Sequence, residues 1–220
     1  MKDIEDLVSG FRRFQHRYFG EHRELYERLT RGGQTPRIMV IGCCDSRVDP
    51  AIITDCDPGD MFVLRNVANL VPPYEKGGGY HGTSAALEFA IRGIGVEHVI
   101  VLGHARCGGI RSLMGKTGIK GDAEFVGPWM SIADDARKAV LQDHQGDSFD
   151  QQARACELAA LRVSMSNLVT FPFVRDAVEA GRLGLHGWYF DIDKGELLRY
   201  KTDVDRFEPV VDGLATPSGI

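Results

Sequence analysis

Four stretches of the chain are apolar at nearly every position: residues 37–43, 61–67, 98–104 and 187–192. Runs of this kind are typical of β-strands that are covered on both faces, as in parallel sheets. A fifth stretch, residues 196–200, follows a tight turn and predicts an antiparallel strand at the edge of the sheet. The pattern therefore predicts a mostly parallel sheet of about four strands plus one antiparallel edge strand.

Helical patterns lie between the strand patterns. Residues 83–93 begin with Thr83, a favourable N-cap residue, and end with glycine. Residues 151–169 form a longer amphipathic stretch, and residues 172–181 begin with proline and end with glycine. This alternation predicts an α/β fold with helices on both faces of the sheet, in a single domain of residues 1–220.

The N-terminal stretch has a helical pattern, because its apolar residues recur every three or four positions with charged residues between them. The apolar positions are Ile4, Leu7, Val8, Phe11, Phe14, Tyr18 and Phe19. The glycines and proline of residues 31–36 end the pattern. We expect residues 1–33 to form a helical arm that packs on a partner subunit.

Charge and composition argue against a nucleic-acid-binding, lipid-binding or membrane-spanning protein. The formal net charge of -5 provides no basic surface for nucleic acid or anionic lipid. No apolar run approaches the ~20 residues of a membrane span, and residues 1–15 lack the apolar centre of a signal peptide. The five cysteines lack the regular spacing of a disulfide framework. We therefore expect a cytoplasmic protein whose thiols are ligands, nucleophiles or buried apolar groups.

Residues 42–47 read Gly-Cys-Cys-Asp-Ser-Arg, so that two adjacent cysteines are followed closely by an acidic and a basic residue. A thioredoxin-like redox pair needs C-x-x-C, which the sequence does not contain. A cysteine phosphatase loop needs an arginine where this chain has Asp49 or Pro50. A cysteine nucleophile with a remote histidine and a metal site both stay open.

A second motif, H-x-x-C at residues 104–107, favours the metal. Both motifs stand at the carboxyl end of a predicted strand, where ligands bind in open α/β sheets if the winding direction switches there. Two such ends side by side would join a cysteine of the first motif to His104 and Cys107. Two thiolates and one imidazole suit Zn²⁺, and three protein ligands leave a fourth position open, as catalysis requires.

Alternation along an extended segment distinguishes the two adjacent cysteines. Cys43, Asp45 and Arg47 share one side of the segment, whereas Cys44 points to the other side with Ser46. A metal on the first side would therefore meet a ligand, a carboxylate and a guanidinium together. We expect Cys44 to pack in the core as a small apolar group.

The combined motifs resemble those of the β-class carbonic anhydrases. The resemblance rests on C-x-D-S-R at residues 43–47, on H-x-x-C-G-G at residues 104–109 and on R-N-V-A-N-L-V-P-P-Y at residues 65–74. It extends from about residue 34 to residue 192. The N-terminal arm is similar in character only.

The resemblance implies reversible hydration of CO2 to bicarbonate and a proton, by attack of a zinc-bound hydroxide. One Zn²⁺ per chain would be held by Cys43, His104 and Cys107. Arg47 would hold Asp45 in a bidentate pair, keep it off the metal and let it orient the zinc-bound water. Some family members also have a closed form in which this aspartate does ligate the zinc.

The substrate pocket that the resemblance implies is apolar, because CO2 carries no charge. Phe62, Val67 and Gly108 match its walls, and Gln34 matches a side chain that hydrogen-bonds substrate or product. In the family, Gln34 and Phe62 come from the neighbouring subunit. The resemblance therefore implies self-association as a dimer or tetramer.

Two positions bear on the branch of the family. Val40 stands where one branch has the tryptophan of an inhibitory bicarbonate site, which favours the other, plant-like branch. Phe89 stands where that branch often has a pocket tyrosine. The motifs leave two other functions open: hydrolysis of carbonyl sulfide or carbon disulfide at the same zinc site, and a non-catalytic zinc or thiol sensor.

Overall fold

The computed structural model of the protein describes residues 2–77, 79–115 and 124–211. The chain divides into two units, Met1–Thr35 and Pro36–Ile220. The first unit covers the stretch that the sequence predicts as an arm, and its packing on a partner subunit stays a prediction. Within the described residues, no helix is both long enough and apolar enough to cross a membrane.

The N-terminal unit contains two helices and a π-helical turn: α1 (Ile4–Gln15), the turn His16–Glu21, and α2 (Arg23–Gly32). Helix α1 begins at a capping box, in which the side chains of Asp3 and Asp6 each accept the other residue's backbone N–H. The rings of Phe14 and Tyr26 meet edge to face with centroids 5.7 Å apart. This aromatic contact packs the two helices against each other.

A six-stranded mixed sheet organises the larger unit, as far as its residues are described. The strands are β1 (Ile38–Cys43), β2 (Met61–Asn66), β3 (His98–His104), β4 (Gly184–Asp191), β5 (Glu196–Lys201) and β6 (Arg206–Pro209). Their order is β2-β1-β3-β4-β5-β6, with β1 to β4 parallel and the last two strands antiparallel. The predicted α/β class and mostly parallel sheet are confirmed.

Strand β6 goes beyond the single antiparallel edge strand that the sequence predicts. Its four residues, Arg-Phe-Glu-Pro, are too few to show a pattern of their own. The strand is stabilised by its pairing with β5. Phe207 stands opposite Tyr200 of β5, and their ring centroids are 5.1 Å apart.

Seven helices of the larger unit lie among the described residues. They are α3 (Pro50–Ile53), α4 (Gly82–Glu88), α5 (Gly108–Leu113), α6 (Val126–Met130), α7 (Asp134–Asp143), α8 (Phe149–Leu168) and α9 (Pro172–Glu179). Helix α4 begins one residue before the predicted cap Thr83, and it continues as a π-helical segment, Phe89–Ile94. The turn after that segment uses Gly95 in the left-handed region, at φ 81°.

Alternate residues of the central strands face two apolar clusters. Met39 and Val99 belong to the larger cluster, which is completed by side chains from α4, α8 and α9. Val40 and Ile100 point to the opposite face, where Ile53 of α3 packs against them. Both faces of the central strands are therefore buried, which explains their continuous apolar sequence.

Helix α8 lies close against β3 and β4 because each of these strands carries a glycine at the contact. A Cβ atom on Gly187 would lie 2.7 Å from Leu161 Cδ2, and one on Gly103 would lie 3.1 Å from Leu161 Cδ1. The close approach brings Glu157, one turn before Leu161, within hydrogen-bond reach of the loop between β3 and α5. The fold thus places a buried side chain of α8 behind the ends of the strands.

Candidate metal centre

The carboxyl ends of β1 and β3 bring the two cysteine motifs together. Cys43 is the last residue of β1, His104 is the last residue of β3, and Cys107 caps the N-terminus of α5. Strands β1 and β3 are adjacent and parallel, and the next strand after β1 along the chain lies on the other side of β1. The winding direction switches at this point, which is the condition under which ligands bind at the ends of the strands.

The three side chains form a compact group of sulfur and nitrogen donors. Their ligand atoms all lie within 4.8 Å of one another, and the two Sγ atoms are 4.0 Å apart. All three residues are buried. Among the described residues this is the group of His, Cys, Asp and Glu side chains that could hold a metal ion.

The two buried thiols shift each other's pKa in opposite directions. The hydrogen bond from Cys107 holds the pKa of the Cys43 thiol far below its ordinary range. The same contact, together with burial, raises the pKa of the Cys107 thiol. A divalent cation between them would favour both thiolates, because ligand thiols bind metals in the deprotonated form.

The tautomer of His104 also fits a metal. Its Nδ1 lies 2.8 Å from the carbonyl oxygen of Ala105, so Nδ1 carries the proton and donates it. In the neutral ring Nε2 is the acceptor, and it is buried without a hydrogen-bond partner among the described residues. A buried lone pair is costly unless it finds a partner, and a tetrahedral Zn²⁺ takes this imidazole with two thiolates. The residues therefore fit zinc.

Asp45 and Arg47 form a bidentate ion pair beside this group. Arg47 donates from Nε to Asp45 Oδ1 at 2.9 Å and from Nη2 to Oδ2 at 2.7 Å. These hydrogen bonds lower the pKa of Asp45 to about 2. Nη2 also donates to the carbonyl oxygen of Arg106 at 3.1 Å, so the guanidinium joins the first motif to the second.

Arg65 braces the first motif from behind, a role that sequence reasoning missed. Its guanidinium donates to the carbonyl oxygens of Cys43 and Asp45 at 2.8 and 2.7 Å. It also donates to Asp49 Oδ2 at 2.8 Å, and Asp49 in turn caps α3. One side chain of β2 thus fixes the backbone on both sides of Cys44.

Cys44 does not pack in the core, and this expectation from the sequence is wrong. Strand β1 ends at Cys43, and the Cys44 side chain is exposed in a cavity of about 970 Å³. Val67 and His81 line the same cavity. The side of the segment opposite the metal donors therefore opens to solvent rather than to the interior.

Trp129 fixes Val67 and was also missed by sequence reasoning. Its indole N–H donates to the carbonyl oxygen of Val67 at 2.8 Å. Gly109 makes room on the other side, because a Cβ atom there would lie only 2.8 Å from Val67 Cγ1. The next residue, Ala68, takes a left-handed φ of 62°, which turns the chain sharply after Val67.

Phe62 and Gly108, which are also predicted for the substrate pocket, are not among the residues that line this cavity. Phe62 is half-buried on β2, and its ring lies 6.0 Å from that of Phe89. Gly108 is the first residue of α5 and follows Cys107 directly. Gln34 belongs to the N-terminal unit and is exposed. The substrate roles of these residues stay predictions.

Comparison with known proteins decides the family. The family model described as carbonic anhydrase matches residues 38–197, which is well over half of the chain and includes both motifs. The chain belongs to the carbonic anhydrase family. Carbonic anhydrases are enzymes, and relatives from Synechococcus elongatus, Synechocystis sp. and Arabidopsis thaliana are named carbonic anhydrases.

Individual relatives place this carbonic anhydrase in the β class. Beta carbonic anhydrase 3 of Arabidopsis thaliana is 37% identical over 202 residues, 91% of this chain and 78% of the plant protein. The solved β-carbonic anhydrase CcaA is 33% identical with a TM-score of 0.87, over 94% of this chain and 91% of that chain. A tetrameric β-carbonic anhydrase of Sordaria macrospora is 26% identical with a TM-score of 0.70, over 96% and 95%. The β-class fold predicted from the two motifs is confirmed.

Proposed function

We propose that the protein catalyses the reversible hydration of CO2 to bicarbonate and a proton, with one Zn²⁺ per chain. The observation that carries the proposal is the buried group of Cys43, His104 and Cys107 with the Asp45–Arg47 pair beside it. The family supports the reaction, and the donor set supports the metal. When bound, zinc lowers the pKa of a water ligand and so supplies a nucleophile near neutral pH.

Asp45 orients the attacking water in this proposal. Both carboxylate oxygens are held by Arg47, which directs the carboxylate and keeps it from acting as a fourth ligand. Oδ1 also accepts the backbone N–H of Arg47 at 3.0 Å, so Oδ2 is the oxygen that retains a lone pair for a hydrogen bond from water. Accepting that bond fixes the water's remaining lone pair toward the carbon of CO2. A lysine could not offer the same planar fork.

The substrate side of the site depends on a second subunit. Gly108 follows Cys107 directly, and Val67 packs against the apolar cluster that contains Cys43 and Cys107. Phe62 and Gln34 are proposed to act on the site of a neighbouring chain. The tetrameric Sordaria macrospora enzyme supports self-association. The thiols are proposed to work in a reducing cytoplasm, which is supported by five free cysteines.

Stopped-flow CO2 hydration on protein of measured zinc content tests the proposal, from about pH 7 to about pH 9. We expect turnover that rises with pH, and we expect Asp45→Asn to retain about one zinc per chain while losing most of its turnover. Full activity of Asp45→Asn would contradict the orienting role.

Absence of turnover from zinc-loaded wild type would contradict the reaction itself. Assays of carbonyl sulfide and carbon disulfide on the same sample would then identify the hydrolase alternative. Adding a chelator distinguishes the enzyme from a non-catalytic zinc sensor. A structural zinc module unfolds without its metal, whereas a catalytic site mainly loses activity.

A further inference from the structure

Glu157 is a buried carboxylate of α8 that takes part neither in the donor group nor in the Asp45–Arg47 pair. Its residue is only 5% exposed. Oε1 accepts the backbone N–H of Cys107 at 3.0 Å, and Oε2 accepts the hydroxyl of Tyr189 at 2.6 Å. Burying a carboxylate is costly unless its oxygens are hydrogen-bonded, and here each oxygen has a partner.

The partner on the far side of the carboxylate is itself fixed. Tyr189 is fully buried on β4, and the guanidinium of Arg154 lies 5.0 Å from the centre of its ring. Arg154 is held by an ion pair with the buried Asp191, at 2.9 Å. A chain of contacts therefore runs from the sheet through Tyr189 to Glu157 and ends at Cys107.

The amide that Glu157 accepts belongs to a residue whose direction matters. Cys107 lies in the loop between β3 and α5, and its side chain must point at Cys43 rather than along the helix. A hydrogen bond to its N–H limits rotation of the peptide from which the thiol projects. Removing a group that is hydrogen-bonded to a metal-ligating residue commonly lowers metal affinity about 10–100-fold.

We propose that Glu157 is a positioning residue for zinc: it holds the Cys107 thiol in its ligating direction through the backbone amide, and Tyr189 holds Glu157. The proposal rests on the proposed zinc site. It assigns the role to the hydrogen bond and not to the carboxylate charge. Glutamine at position 157 keeps an acceptor for Cys107 and removes the charge, whereas leucine removes both.

The test compares zinc transfer from each variant to a chromophoric chelator and the thiolate-to-cobalt absorption of Co²⁺-substituted protein. We expect Glu157→Leu to release zinc about tenfold faster or more, with a weaker thiolate-to-cobalt band. Glu157→Gln should stay within about threefold of wild type, and Tyr189→Phe should fall between the two. Ser164→Ala is the matched control, because it removes another buried polar group of α8, bonded to Asn69 and Val71 instead.

The following results would overturn the proposed role of Glu157. Wild-type release rates in Glu157→Leu would overturn the proposal, and so would equal acceleration in Glu157→Gln and Glu157→Leu, since charge would then be responsible. If Glu157→Leu does not fold, a wild-type rate in Tyr189→Phe overturns the proposal. Zinc binding by wild type without CO2 hydration would remove the proposed reaction and leave this inference standing.

Discussion

Two neighbouring thiols have different chemistry because β1 ends between them. Cys43 is buried 4.0 Å from Cys107, whereas Cys44 is exposed in the large cavity. We therefore predict that Cys43→Ser loses zinc, to less than about a tenth of an ion per chain, and that Cys44→Ser keeps about one. Zinc analysis of the purified variants measures this. Loss of zinc from both variants would contradict the alternation argument on which the choice of ligand rests.

The backbone of Arg106 is strained, in a conformation that accompanies its hydrogen bond with Arg47. Its φ of 59° is left-handed, and this turns its carbonyl oxygen toward Arg47. A non-glycine residue in this region costs about 1 kcal/mol. We predict that Arg106→Gly is more stable than Arg106→Ala by about 0.5–1 kcal/mol, since both lose the surface pair with Asp193 but only glycine relieves the strain. Urea denaturation of zinc-loaded protein measures the difference, and an Ala variant as stable as the Gly variant would contradict it.

At the level of residues, the structure brings together the three side chains that the sequence predicts as zinc ligands, and their binding of zinc stays a prediction. Strand ends and the H-x-x-C spacing indicated the three donors that the structure brings together. The bracing roles of Arg65 and Trp129 were missed because their bonds reach residues 22 and 62 positions away. A single arginine or tryptophan forms no sequence pattern that would predict a hydrogen bond to a distant carbonyl oxygen.

At the level of elements, continuous apolar runs predicted the four parallel strands to within a few residues. Helix α7 was missed because its ten residues are mostly polar and only Ala136 and Val140 are buried. Strand β6 was missed because its pairing with β5, and not its own pattern, defines it. Both elements are short and depend on neighbours that one local window of sequence does not contain.

The start of β3 and β4 carries a pair of histidines that should make stability depend on pH. His186 Nε2 lies 3.2 Å from His98 Nδ1, and burial, with a contribution from His98, lowers the pKa of His186. The unfolded chain therefore binds a proton at this position before the folded chain does, so the free energy of unfolding falls as pH drops below the ordinary value of 6.5. Well above that value His186 is neutral in both states and its burial has no effect on the pH dependence.

We predict that His186→Gln loses less stability than wild type between about pH 7.5 and about pH 5. The difference should be about 0.5 kcal/mol, because His186 is only partly buried and solvent reduces the cost of charging it. Urea denaturation at both pH values measures it, with His22→Gln, a change to an exposed histidine of the N-terminal unit, as control. Parallel losses in wild type and His186→Gln would contradict the prediction.

At the scale of the molecule and its assembly, the N-terminal unit presents an apolar surface along α1. Leu7 and Phe11 of α1 are 59% and 61% exposed, and Ile4 and Val8 lie on the same face of the helix. Isolated exposed apolar side chains are ordinary, but a continuous face of them on an amphipathic helix is typical of an interaction surface. The sequence predicts a partner subunit for this arm, and the proposed roles of Gln34 and Phe62 also need one.

We predict that Leu7→Glu with Phe11→Glu weakens self-association at least about tenfold, because two charges would have to be buried in the interface. CO2 hydration per zinc should fall in parallel, since the site would lose Gln34 and Phe62, the side chains that a second subunit is proposed to supply. Sedimentation velocity over a range of concentrations measures the assembly. Ser9→Glu with Arg13→Gln is the control, because it changes the net charge equally on the opposite face of α1. An unchanged assembly in the Leu7 and Phe11 variant would contradict the role of the arm, and full activity in dissociated chains would contradict a shared site.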